Sequence, residues 1–162
     1  VKLILILALC VAVAVAVWAA QSRWLRPRER AAVSRYLGCI ECDRGELDSV
    51  RALAHRKPGA TVRALADVLL NGLDQGQRDA LTARLRRMWA RDSVALAPQD
   101  SFVAFYSTSY DVAYRKSAAI ALGWINTPGA DSVLRVALAA GLHPRVRRVV
   151  SLALADSLPL PP

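Results

Sequence analysis

No stretch of this sequence alternates apolar and polar residues over the length of a strand. That absence excludes a half-exposed β-sheet and leaves an all-α fold. Histidine and cysteine are scarce, with two and three in 162 residues. His55 and His143 fall on different predicted helices, and Cys10 sits in an apolar run. A zinc site needs four ligands as a rule, so no metal is expected. There is no Gly-x-Ser-x-Gly elbow and no phosphate-binding glycine loop, so no cofactor has a motif to hold it. No residue stands out as catalytic, and the chain reads as a non-enzyme. Long charge blocks and low-complexity runs are missing too, which leaves one modest domain plus terminal segments.

What is present starts with charge and an apolar run. Nineteen arginines and three lysines face 13 acids, for a net +9. Removing residues 1–22 takes away one lysine and no acid, so the remainder keeps +8. Such a balance favours an acidic partner or an anionic membrane surface. Residues 3–20 carry no charge. Eighteen residues in a helix span about 27 Å, close to the thickness of a bilayer core. Residues 1–22 are therefore expected to be a single-pass anchor in the cell membrane, with a cleaved signal peptide and export as the alternative. Arg23, Arg26, Arg28 and Arg30 follow the run, which argues for a cytoplasmic domain. A signal peptide and a cysteine pair argue for export, so the side stays open.

Residues 23–42 read as a juxtamembrane helix, opened by Pro27 and closed by Gly38, followed by Cys39-Ile-Glu-Cys42. That spacing suits a disulfide, a redox pair or half a metal site. Neither a βαβ context nor further ligands accompany it, and a structural disulfide or two packed thiols is the plainer expectation. Asp43 and Glu46 suit a capped helix start. Pro58 opens the following helix, whose stripe is Val62, Leu65, Ala66, Leu69 and Leu70, and Gly72 stops it. Asp74 begins another, with Leu81, Leu85, Met88 and Trp89 as its apolar face. Residues 93–98 form a loop. Phe102, Tyr106, Tyr110 and Tyr114 then recur every four residues. At helical spacing such a stripe is expected in the core, with a ligand groove as the alternative.

The clearest pattern lies in residues 112–155. Arg115, Ala118, Ile120, Ala121 and Leu122 recur as Arg147, Val150, Leu152, Ala153 and Leu154, 32 residues later. Between them, Thr127 can cap a helix opened by Pro128, Val133, Leu134, Ala137 and Leu138 form its stripe, and Gly141 stops it. The stretch resembles a HEAT-like repeat of the short, alanine- and leucine-rich kind named after phycobilisome lyases. In that pattern a V-R-x-x-A-x-x-A-L-G-x-I helix alternates with an A-x-x-x-L-x-x-A-L helix. The resemblance implies a short right-handed α-solenoid of stacked antiparallel helix pairs over residues 43–157, after an N-terminal apolar helix, with a Pro-rich tail at 158–162. It implies a scaffold that binds protein, and it implies no bilin chemistry.

Arg84, Arg86, Arg87 and Arg91 cluster on one predicted helix, and Arg145, Arg147 and Arg148 on another. Arg84, Arg87, Arg91, Arg145 and Arg148 are the candidate contacts to an acidic protein surface. Arg115 and Arg147 belong to the repeat pattern and need no functional role. The leading expectation is a membrane-tethered HEAT-repeat adaptor. The alternatives are a thiol redox or metal-binding protein acting through Cys39 and Cys42, and a nucleic-acid binder using the basic surface, which an exported domain would not be.

Overall fold

The computed structural model describes residues 24–38, 44–91 and 98–158. All regular structure among them is helical: α1 (Pro27–Gly38), α2 (Arg44–Arg56), α3 (Pro58–Asn71), α4 (Gln75–Arg91), α5 (Gln99–Ile125), α6 (Pro128–Ala139) and α7 (Pro144–Leu154). The apolar segment 3–20, the pair Cys39 and Cys42, the cap at Asp43, residues 93–97 of the loop and the tail 159–162 lie outside the described residues. None of the described helices is long and apolar enough to cross a membrane.

Local chemistry sets the helix ends where the spacing places them. The Thr127 hydroxyl accepts a hydrogen bond from the Ala130 amide at 3.3 Å, and Pro128 needs no donor at the first position. His143 plays the same part for α7, its Nδ1 accepting from the Arg145 amide at 3.2 Å. Asp74 and Gln77 cap α4 reciprocally, each side chain accepting from the other's backbone amide at 2.8 and 2.9 Å. Gly72 ends α3 at φ +74° and ψ −150°, a backbone conformation open to glycine and strained for other residues. A Cβ there would also strike the Asp111 carboxylate, so the position has no room for a side chain.

The long helix α5 organises the rest. Its 27 residues run about 40 Å, and every other helix packs against it. The α2–α3 pair lies on it, with α3 also touching α6, and the α6–α7 pair covers its C-terminal half. Val50, Leu65, Leu69, Ala118, Leu122, Leu134, Val146 and Val150 are fully sequestered in one cluster. Val33, Tyr36 and Leu37 of α1 belong to that cluster as well, and the Tyr36 hydroxyl donates to the Ser117 carbonyl at 3.2 Å. The first helix is thus packed into the same body as the others.

The 32-residue correspondence is followed by burial at most positions. Ala118 and Val150 are both fully buried, Ala121 and Ala153 are both buried, and Ile120 and Leu152 are both half-buried. Leu122 and Leu154 part company: the first is fully buried, the second only half. Among the described residues no helix follows α7 to cover its last turn, and Leu154 packs only partly against the core. Ile125 and Val133 are half-buried, and Leu138 is exposed, at the ends and edge of their stripes.

Arg115 has a structural task. Its Nη1 donates to the Leu69 and Leu70 carbonyls at 3.0 and 2.8 Å, and its Nε donates to Asp111 Oδ2 at 2.7 Å. Asp111 Oδ1 accepts from the Leu73 amide at 3.0 Å. Arg115 thus satisfies carbonyls that the end of α3 leaves without helical partners, and Asp111 takes up the amide of Leu73 just beyond it. Arg147, its 32-residue counterpart, is exposed, and His143 stands where the first copy has Asp111.

Candidate partner-binding face

α4 has one buried residue, Leu85, so little of its surface is spent on the core. Arg84, Arg87, Met88 and Arg91 are related by spacings of three, four and seven residues and therefore share a flank. All four are exposed. α4 packs against α5, and the N-terminal half of α5 carries aromatic residues. There Phe105 is 66% exposed and Tyr106 is 41% exposed. Phe105 meets Tyr106 edge to face, with centroids 5.3 Å apart, and Phe102 lies 4.5 Å from Tyr106 at 46°. The three rings brace one another while presenting apolar surface to solvent.

The aromatic stripe continues inward through Tyr110 and Tyr114, both half-buried. Burial pushes the Tyr114 hydroxyl above its ordinary range, nearby Tyr110 adds to the rise, and the Arg84 charge acts against it. Arg84 therefore sits on the tyrosine side of α5. Gly38, the last residue of α1, abuts the same ring: a Cβ there would lie 2.9 Å from the Tyr114 hydroxyl oxygen. The stripe from Phe102 to Tyr114 is thus neither core nor an enclosed groove. It grades from a half-buried foot at Tyr114 to an open rim at Phe105 and Tyr106.

The second arginine group is elsewhere. Arg145, Arg147 and Arg148 are exposed on α7, and α4 and α7 both pack on α5 without a packed interface between them. The two groups lie on helices that do not pack on each other. Cys39 and Cys42 lie outside the described residues, as does any bond between them. Among the described residues no three of His, Cys, Asp and Glu cluster as metal ligands would.

Sequence reading missed two features. Phe105 falls between members of the every-four stripe, and nothing local marks it as uncovered. A concavity of about 460 Å³ also opens where α2, α5 and α7 end, lined by Arg51, His55, Trp124, Asn126 and Asp156. The Arg51 guanidinium lies 5.8 Å from the centre of the Trp124 ring. Its residues come from helix ends far apart in the chain, so no spacing announces it.

The chain matches no family model, and no curated protein or solved structure is similar to it. The face itself can do what arginine and rigid aromatics do together. Exposed Phe105 and Tyr106 can seat a partner's apolar groups, and the exposed arginines of α4 can make charge-assisted hydrogen bonds to carboxylates.

Proposed function

We infer that the chain is a membrane-tethered adaptor built from short HEAT-like helix pairs, which binds an acidic protein surface and performs no catalysis. The observations that carry the binding half are the exposed Phe105–Tyr106 pair on α5 and the exposed Arg84, Arg87 and Arg91 on α4, a helix that packs against α5. Protein interfaces are enriched in aromatic residues and arginine, and a few such anchors dominate their energetics.

The repeat half draws support from which helices touch. A stack of helix pairs brings each first helix onto the next first helix and each second helix onto the next second helix. Here α2 packs on α5 and α5 on α7, while α3 packs on α6. The matched burial at 32-residue spacing agrees with that order. In this reading α4 and the N-terminal half of α5 are an inserted hairpin, and that hairpin carries the binding face. The tether is the uncharged run 3–20.

Affinity capture from solubilised membranes of the producing cell tests this reading. One protein with an acidic surface is expected to come down with the native chain and to be lost with Phe105→Ala. Truncating a well-packed aromatic anchor costs on the order of 2 kcal/mol, about thirtyfold in affinity. Arg145→Glu with Arg148→Glu should leave capture intact. Equal capture by the Phe105 variant would remove the face from consideration, and recovery of nucleic acid instead, falling steeply with salt, would favour the nucleic-acid reading.

A further inference from the structure

α1, α3 and the residues just before α1 line a groove of about 700 Å³. Leu25, Ala60 and Leu70 line it with apolar surface, and Trp24, Arg30 and Arg63 are exposed along it. Trp24 is 75% exposed, the most open large apolar side chain among the described residues. Arg26 and Arg28 are exposed on the same stretch of chain.

The acids nearby are occupied. Glu29 Oε2 accepts from Lys57 Nζ at 2.8 Å and from the Arg26 amide at 2.7 Å. This ties the start of α1 to the start of α3 and fixes the groove's width. Asp67 Oδ1 accepts from the Asn71 side-chain amide at 2.7 Å. Against the single charge of Asp67, Arg30 and Arg63 leave the groove's lining net positive.

Covalent geometry limits what can cover this groove. The uncharged run ends at Ala20, four residues before Trp24. Four residues reach at most about 14 Å even when fully extended. Whatever bilayer holds residues 3–20 has its surface within that distance of Trp24. An exposed indole and arginines at that depth match the chemistry of the headgroup region, where tryptophan and basic residues concentrate.

We propose that this groove docks on the surface of an anionic phospholipid bilayer, with Trp24 among the headgroups and Arg30 and Arg63 against lipid phosphates. The proposal rests on residues 3–20 being a membrane tether. Docking then orients the domain on its tether instead of leaving it to swing. It is separate from the α4–α5 face, which stays open to a protein partner.

The full chain reconstituted into phosphatidylcholine vesicles, with and without phosphatidylserine, tests it. The readouts are flotation, tryptophan quenching by brominated lipid and amide hydrogen exchange of α3. Subtracting the Trp24→Phe variant isolates Trp24 from Trp18, Trp89 and Trp124. Trp24 quenching and α3 protection should both rise when phosphatidylserine is added and fall at high salt. An Arg30→Gln, Arg63→Gln double variant should lose that rise, because each basic residue at an anionic surface contributes about fivefold to the docked population. Its circular dichroism should match the native chain. Failure to float would overturn the tether and this proposal together. Flotation with Trp24 quenching indifferent to phosphatidylserine would overturn this proposal alone. Protection of α3 that follows protein concentration instead of lipid composition would mean a second copy covers the groove, and would also overturn it.

Discussion

Replacing Arg115 with alanine separates two residues that the 32-residue pattern treats as equivalent. The Arg115 guanidinium makes three hydrogen bonds, to Asp111 and to the carbonyls of Leu69 and Leu70, and its side chain is 18% exposed. Hydrogen bonds that involve a charged group contribute about 1.5–3 kcal/mol net where they are shielded. Asp111 is 31% exposed and keeps its bond to the Leu73 amide, so solvent relieves part of the loss. The balance is a destabilisation of about 2–3 kcal/mol, which lowers Tm by roughly 10 °C for a domain of this size. Arg115→Lys should recover little, because one ammonium cannot reach a carboxylate and two carbonyls in the geometry of the guanidinium fork. Arg147→Ala, at an exposed position, should stay within about 0.5 kcal/mol of the native chain. The assay is denaturant unfolding of the full chain followed by circular dichroism. A loss below about 0.5 kcal/mol for Arg115→Ala, or equal losses at both arginines, would refute the clamp.

Three further outcomes follow from the same packing. Leu122→Ala should cost on the order of 2–5 kcal/mol, and half-buried Leu154→Ala clearly less; equal costs in the same unfolding assay would contradict the burial difference. The Lys57 hydrogen bond holds the Glu29 carboxyl below the usual carboxylate range, with the Arg26 amide acting in the same direction. Because the folded pKa is the lower one, its contribution is complete above the unfolded value near 4.3 and is lost as pH falls through the folded pKa; Lys57→Met should flatten that acid limb of stability, and an unchanged limb would count against the bridge. A Cys39→Ser, Cys42→Ser chain is expected to fold and keep its partner with modest loss of stability, since so small a closed loop constrains the unfolded chain little; mass measurement with and without reductant establishes whether the bond exists, and a folded variant without function would favour redox or metal chemistry.

Helix ends were legible because their chemistry is local. Thr127 with Pro128, and Gly72, each declare a boundary within a few residues, and each is found where spacing put it. The fully buried positions of the second half, such as Ala118 and Val150, were legible for the same reason, as periodicity marks a face. Periodicity cannot say what covers a face. The run of Phe102, Tyr106, Tyr110 and Tyr114 has the spacing of a core stripe, yet α4 covers only part of this end of α5, and Tyr106 remains open. Arg115 reaches carbonyls 45 and 46 residues earlier in the chain, a partnership no local pattern encodes. The two arginine groups looked alike in sequence, and the fold leaves both exposed, on separate helices that each pack against α5.

The binding face is tested most directly by a photo-crosslinking residue placed at Phe105 in the full chain, in membranes of the producing cell. The same residue at exposed Ser132 on α6 serves as the control. The account predicts an adduct from position 105 with one protein, weakened by high salt and by Arg84→Glu with Arg87→Glu, and no such adduct from position 132. No protein adduct from position 105, or the same adducts from both positions, would contradict it.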